Sequence, residues 1–212
     1  EDYLTDVIER LGDAAAEAMS DRTSVTLSTG SDWCGFAASR RKPDGDGGVL
    51  WEPSLDAPHD HEVPVVAVRD REGALRLTLF SYACHPTSTG AIPEIGGDYP
   101  GFATSHFEAA NDGCLALFAK GCGGDQKPNF LEPSTGGFRK ATVKEVKGNG
   151  ELLSRAVIRA TSREMSVVEG PIGVKSEIVT LRTDQVDVDA VRAFADSGTA
   201  AEQTWSRHYA GV

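Results

Sequence analysis

Two short segments carry residue types suited to hydrolytic chemistry. His85 stands in Ala83-Cys84-His85-Pro86, at the end of an alternating apolar run, and Asp125 closes Gly121-Cys122-Gly123-Gly124-Asp125. A neutral imidazole is a good ligand for a borderline metal such as zinc, and glycines let backbone approach a ligand closely. A lone histidine is nevertheless more often a satisfied structural residue than a ligand, so local features leave both roles open for His85. His59-Asp60-His61 places two imidazoles on one side of an extended segment, as a metal pair would require. That stretch lies between Pro58 and Pro64 with no strand to fix it, and it reads better as solvated loop. His106 and His208 fall in helical patterns and are not site candidates.

Ser39-Arg40-Arg41-Lys42 is a basic run that reads either as a solvated loop or as an arginine reaching a substrate oxygen with its planar fork. Asp98, in Gly96-Gly97-Asp98-Tyr99-Pro100-Gly101, either caps a helix or belongs to a site. The glycine loop matches neither the P-loop nor the dinucleotide fingerprint, and no Gly-x-Ser-x-Gly elbow occurs.

The elements that must position these residues alternate between helix and strand. Leu4, Val7, Ile8, Leu11, Ala15 and Ala18 recur at a helical period, predicting an amphipathic helix from Leu4 to Met19 with one face buried. A strand is predicted from Ser24 to Thr29, followed by a long irregular stretch from Gly30 to Pro64, a length that usually serves a site. Strands Val65 to Arg69 and Leu75 to Ala83 flank a turn in which Gly73 needs a positive φ, and the second feeds His85. A helix starts at about Pro100 and ends at Asn111-Asp112-Gly113. Cys114 to Ala119 then reads as a strand buried on both faces, leading into the glycine loop. A helix from Glu151 to Glu164, a strand from Gly173 to Arg182, and helices from Asp187 to Asp196 and Thr199 to Tyr209 complete the chain. The pattern predicts one α/β domain over residues 1–212, with a mixed β-sheet flanked by helices. Ligands of such sheets bind beyond the carboxyl ends of strands, where His85 and Asp125 fall.

Composition sets further limits. With 40% hydrophobic and 25% charged residues in 212, the chain can bury a real core. A net charge of −11 disfavours nucleic acid and anionic membranes, and no apolar run approaches the roughly 18 residues of a membrane span. Four cysteines, at 34, 84, 114 and 122, lack zinc-finger spacing; they read as buried thiols, with three pairings open if they oxidise. The chain starts at Glu1 with neither an initiator Met nor a signal-peptide pattern and reads as a piece of something longer, whose exposed apolar surface favours self-association.

Three motifs occur here in an order that resembles the neutral, non-lysosomal ceramidase family, in the central part of its N-terminal catalytic domain. They are Ala83-Cys84-His85-Pro86-Thr87-Ser88, Gly97-Asp98-Tyr99-Pro100-Gly101-Phe102-Ala103 and Gly124-Asp125-Gln126-Lys127-Pro128-Asn129, with Ser39-Arg40-Arg41 where the family carries an Asn-Arg pair. The resemblance implies a zinc-dependent amidase that hydrolyses an N-acyl bond of a small-molecule or lipid-like substrate, ceramide being the namesake. It also favours a secreted or periplasmic location. In that family two His, a Glu and a Tyr hold zinc. His85 matches one of the two His, and the other three ligands are expected in segments outside Glu1 to Val212, so this chain alone should hold zinc weakly or not at all. Arg40 matches an arginine that contacts substrate oxygen.

Asp125 and Lys127 match catalytic positions, with one departure: the family has serine where Lys127 stands. A lysine becomes a nucleophile only when desolvation or a neighbouring charge lowers its pKa. A metal-activated water, with its pKa brought toward about 7, can attack an amide without that serine. Two readings follow. One is a ceramidase-like zinc hydrolase of an amide, active only as part of a longer chain. The other is a catalytically silent ceramidase-like module that binds a ligand or partner, and Lys127 is its best support.

Overall fold

A computed structural model describes residues 2–90, 95–182, 187–197, 199 and 203. The chain divides into two compact units, Glu1–Gly170 and Pro171–Val212. The first contains α1 (Asp2–Ser20), β1 (Thr26–Trp33), β2 (Ala37–Ser39), β3 (Lys42–Pro43), β4 (Val49–Leu50), β5 (Glu62–Arg69) and β6 (Leu75–Tyr82). It continues through α2 (Asp98–Ala110), β7 (Leu115–Lys120), β8 (Gln126–Pro128), α3 (Val143–Thr161) and β9 (Ser166–Val168). The second holds α4 (Val188–Ser197), in agreement with the predicted helix; the one predicted from Thr199 to Tyr209 lies, but for Thr199 and Gln203, outside the described residues.

The architecture is α/β with a mixed sheet. Five strands run in the order β7-β6-β5-β1-β9, antiparallel throughout except for β6 and β7, which are parallel and joined through α2. Alternation sends Val63, Val65, Thr78, Phe80 and Tyr82 to one face, where they are buried with Tyr99, Ala103 and Phe107 of α2 and Leu153 and Val157 of α3. The two helices touch where Gly150 meets Tyr99 O and Ala103 N; a Cβ there would lie 2.9 and 3.0 Å from these atoms, so glycine permits the approach.

Several sequence expectations change. Residues 30–64 are less irregular than predicted: β1 runs on to Trp33, β2 follows, and β3 and β4 form a small antiparallel pair. β7 is not buried on both faces. It is an edge strand, and its Leu115 and Leu117 point away from the core, with Leu115 63% exposed. They continue the outer face of the sheet, on which Leu27, Val68, Leu77 and Leu115 stand in register across four strands. α1 forms as predicted but buries none of its residues.

α3 begins at Val143, earlier than Glu151, because Thr142 and Glu145 form a reciprocal capping box. The Gly173 to Arg182 segment is exposed and forms no strand, since its alternation finds no neighbouring strand to pair with. All four cysteines are free: Cys34, Cys84 and Cys114 are buried and Cys122 is exposed. Burial pushes the Cys34 thiol up to about 11 and raises Cys84 further, which leaves them unreactive.

Candidate functional site

The end of β6 is anchored before His85 is reached. The Tyr82 hydroxyl donates to Cys34 O at 2.6 Å and accepts from Ala37 N–H at 3.0 Å, while the Tyr99 hydroxyl donates to Cys84 O at 2.6 Å. Phe36 packs edge-on against both tyrosine rings, with centroids 4.8 and 5.0 Å away. Beyond this floor the His85 N–H donates to Gln126 O at 3.0 Å, and His85 Nδ1 lies 2.6 Å from Gly123 O. A carbonyl oxygen only accepts, so Nδ1 carries the proton and Nε2 of the neutral ring holds the lone pair. This is the orientation in which a ligating histidine is normally fixed by its second nitrogen.

The loop after His85 is clamped by Asp98. Its carboxylate accepts from Ser88 N–H at 2.8 Å, from the Ser88 hydroxyl at 2.6 Å and from Tyr99 N–H at 2.7 Å. Asp98 does so from a left-handed backbone conformation, φ +50°, unusual for a non-glycine residue. It does not cap α2, since Gly97 holds the N-cap position without a side-chain cap bond; its carboxylate instead couples the start of α2 to the His85 loop.

The glycine run supplies the other wall. Gly121 N–H donates to Tyr82 O, and Gly123 lies against the Ala83–Cys84 peptide so closely that a Cβ would sit 2.5 Å from Ala83 C and Cys84 N. Only glycine fits there. Gly123 O therefore reaches His85, and it also accepts from Gln126 N–H at 3.0 Å. The next carbonyl, Gly124 O, accepts from Arg40 Nη2 at 2.9 Å, and Asp125 O accepts from Arg40 N–H at 2.8 Å.

Arg40 arrives through β2, which pairs antiparallel with β8: Ala38 opposes Lys127 and Ser39 opposes Gln126. Strand alternation puts Arg40 and Lys127 diagonally on one face of this ribbon, with Gln126 on the other. Lys127 Nζ lies 4.9 Å from the centre of the Trp51 ring and 5.1 Å from that of Phe138. Burial first, and the Arg40 charge second, lower the Lys127 pKa from the usual lysine value. Gln126 is buried; its Nε2 donates to Asp125 Oδ2 at 2.8 Å and to Pro58 O at 3.3 Å.

His85, Arg40, Asp125 and Lys127 are thus gathered around one loop. The His59 and His61 pair is half-buried rather than solvated, and it braces β2: Ser39 N–H donates to His59 Nε2 at 3.4 Å, and His61 Nε2 donates to Ala37 O at 3.1 Å. Burial and the His61 ring lower the His59 pKa, against an opposing pull from Asp125. Trp51 and Phe138 were not foreseen as neighbours of Lys127; nothing local in the sequence signals them. His85 suits one position in a metal's coordination shell, but among the described residues no three His, Cys, Asp or Glu side chains are grouped to hold an ion.

No family model and no curated protein matches the chain. Solved structures do. A ceramidase complexed with C2 matches with a TM-score of 0.56 and 23% identity over 70% of this chain. Neutral ceramidase from Pseudomonas aeruginosa matches with a TM-score of 0.56 and 22% identity over the same share. The chain has a neutral-ceramidase fold. It spans 24% of the length of either ceramidase. The mixed sheet with its covering helices matches one part of each of those larger structures. No helix among the described residues is long and apolar enough to cross a membrane.

Proposed function

We propose that this chain is part of a ceramidase-like hydrolase that cleaves an N-acyl amide bond with the help of zinc, active as a portion of a longer protein. The observation that carries the reading is the fixed tautomer of His85, held by Gly123 O, beside an Arg40 fastened to the adjacent carbonyl within a ceramidase fold. His85 Nε2 is the donor this chain offers to zinc, with the remaining ligands drawn from other parts of the protein. Zinc, when bound, supplies electrophilic polarisation of the scissile carbonyl and acidifies water. Arg40 orients a substrate oxygen. Asp125 and Lys127 border the same loop as the polar groups that act on the substrate. Pro86 and Thr87, directly after His85, line a cleft of about 670 Å³ whose wall includes Phe102 and Val146, a suitable place for an acyl chain.

The test is hydrolysis of N-acyl amides by the full natural protein and by its His85→Ala variant. Release of fatty acid by the first and not by the second is the expected result. Release unchanged in the variant would remove His85 from the chemistry.

One observation favours the second reading, a silent binding module. The Lys127 ammonium lies over the paired rings of Trp51 and Phe138, an arrangement suited to holding a ligand. In that case the full protein binds N-acyl compounds without turnover.

A further inference from the structure

We propose that Arg40 and Lys127 form an oxyanion-recognition pair, receiving a carboxylate- or phosphate-type group that the N-acyl compound carries beside its amide. The inference deepens the amide-hydrolase reading by giving its substrate a charge, and it rests on that reading for the amide alone.

Arg40 and Lys127 are half-buried cations that no acidic side chain among the described residues neutralises. Some cations have acidic partners, Lys42 with Glu52, Arg139 with Glu145 and Arg159 with Asp32, while exposed ones such as Lys144 are left to solvent. Arg40 and Lys127 form no ion pair among the described residues, although the net charge of −11 makes carboxylates plentiful. The acid facing Arg40 across the ribbon is Asp125, and its carboxylate accepts from Gln126 Nε2 instead. Arg40 gives one N–H to Gly124 O, while its buried Nε has no partner among the described residues. A guanidinium in this state keeps donors in hand for a planar oxyanion.

The second cation stands on the same face, one diagonal step away in the β2–β8 register. Two half-buried like charges repel each other, and burial with the Arg40 charge lowers the Lys127 pKa accordingly. An anion between them relieves that repulsion. The Trp51 and Phe138 rings lie together beside the ammonium and help to hold it in place for an anion. An ammonium beside a guanidinium suits an acidic group. Compounds with an acyl amide and an adjacent oxyanion, such as N-acyl amino acids, have the required chemistry.

Binding separates this inference from turnover. The full protein is titrated with N-octanoylglycine, with N-octanoylethanolamine and with inorganic phosphate, following tryptophan fluorescence and heat. The carboxylate compound is expected to bind about tenfold more tightly than the neutral one, the effect of one charge-assisted contact. Lys127→Gln should abolish that preference, and Lys127→Arg, which keeps the charge, should retain it. Phosphate should compete with the glycine conjugate only weakly. Equal binding of the two amides, binding of neither, or a preference that survives Lys127→Gln would overturn the proposal. So would tight phosphate binding with no preference between the amides, which would mark a free-anion site. Discrimination without any hydrolysis would leave the oxyanion pair standing and sink the hydrolase reading instead.

Discussion

The imidazole of His85 and the guanidinium of Arg40 are fastened to consecutive carbonyl oxygens of one loop, Gly123 O at 2.6 Å and Gly124 O at 2.9 Å. Two residues separated by a strand pair and a long connection are thereby set by the same short stretch of backbone. Whatever fixes that stretch fixes both side chains.

Gly123 is the fixing point. Alanine there would drive a Cβ into the Ala83–Cys84 peptide, whereas at Gly124 a Cβ meets nothing within 4 Å. Gly123→Ala is expected to cost about 2 kcal/mol of stability, as overpacking against backbone does. Gly124→Ala should shift the denaturation midpoint far less. Chemical denaturation of both variants checks the contrast.

The Tyr99 hydroxyl holds Cys84 O, in the residue before His85, and both groups are buried. Tyr99→Phe leaves that carbonyl unpaired inside the core, at a cost of about 1–3 kcal/mol. The loss should appear as a lower midpoint in denaturant with an unchanged slope.

α3 carries a pH signature at its start. Glu145 accepts from the Arg139 guanidinium and from Thr142, which brings its pKa down to about 2. A carboxylate depressed in the fold contributes stability above its ordinary pKa of about 4.5 and loses it as pH falls from there toward about 2. Glu145→Gln should remove this part of the acid dependence, measured by thermal unfolding across that window.

His59 titrates with the opposite chemistry and the same sense. Burial and His61 hold it neutral, so its pKa lies below 6.5, and Asp125 partly offsets them. The unfolded chain then takes up a proton first, and the stability His59 contributes is complete above about 6.5 and falls as pH drops below it. Asp125→Asn removes the opposing pull and should lower the His59 pKa further, as seen by NMR titration of the ring. An unchanged or raised value would show that Asp125 does not act on His59.

Legibility in the sequence followed how local each cause is. The run into His85 was readable because alternation from Leu75 onward marks a half-buried strand, and Gly73 adopts the positive φ its turn required. The exposure of β7 is not legible, because an apolar run looks alike at the centre and the edge of a sheet, and only strand order places Leu115 outside. The start of α3 was hidden by Gly148 and Gly150, which dilute the periodic pattern, although Thr142 and Glu145 held the capping signal. The partners of Lys127 were beyond sequence reasoning altogether. Trp51 and Phe138 come from separate loops that only the fold brings together beside it.

The most direct test of the account is the zinc content of the full natural protein, measured by elemental analysis beside its His85→Ala variant. The account predicts close to one zinc per chain in the natural protein and its loss in the variant. No zinc in either, or equal zinc in both, would contradict the role given to His85.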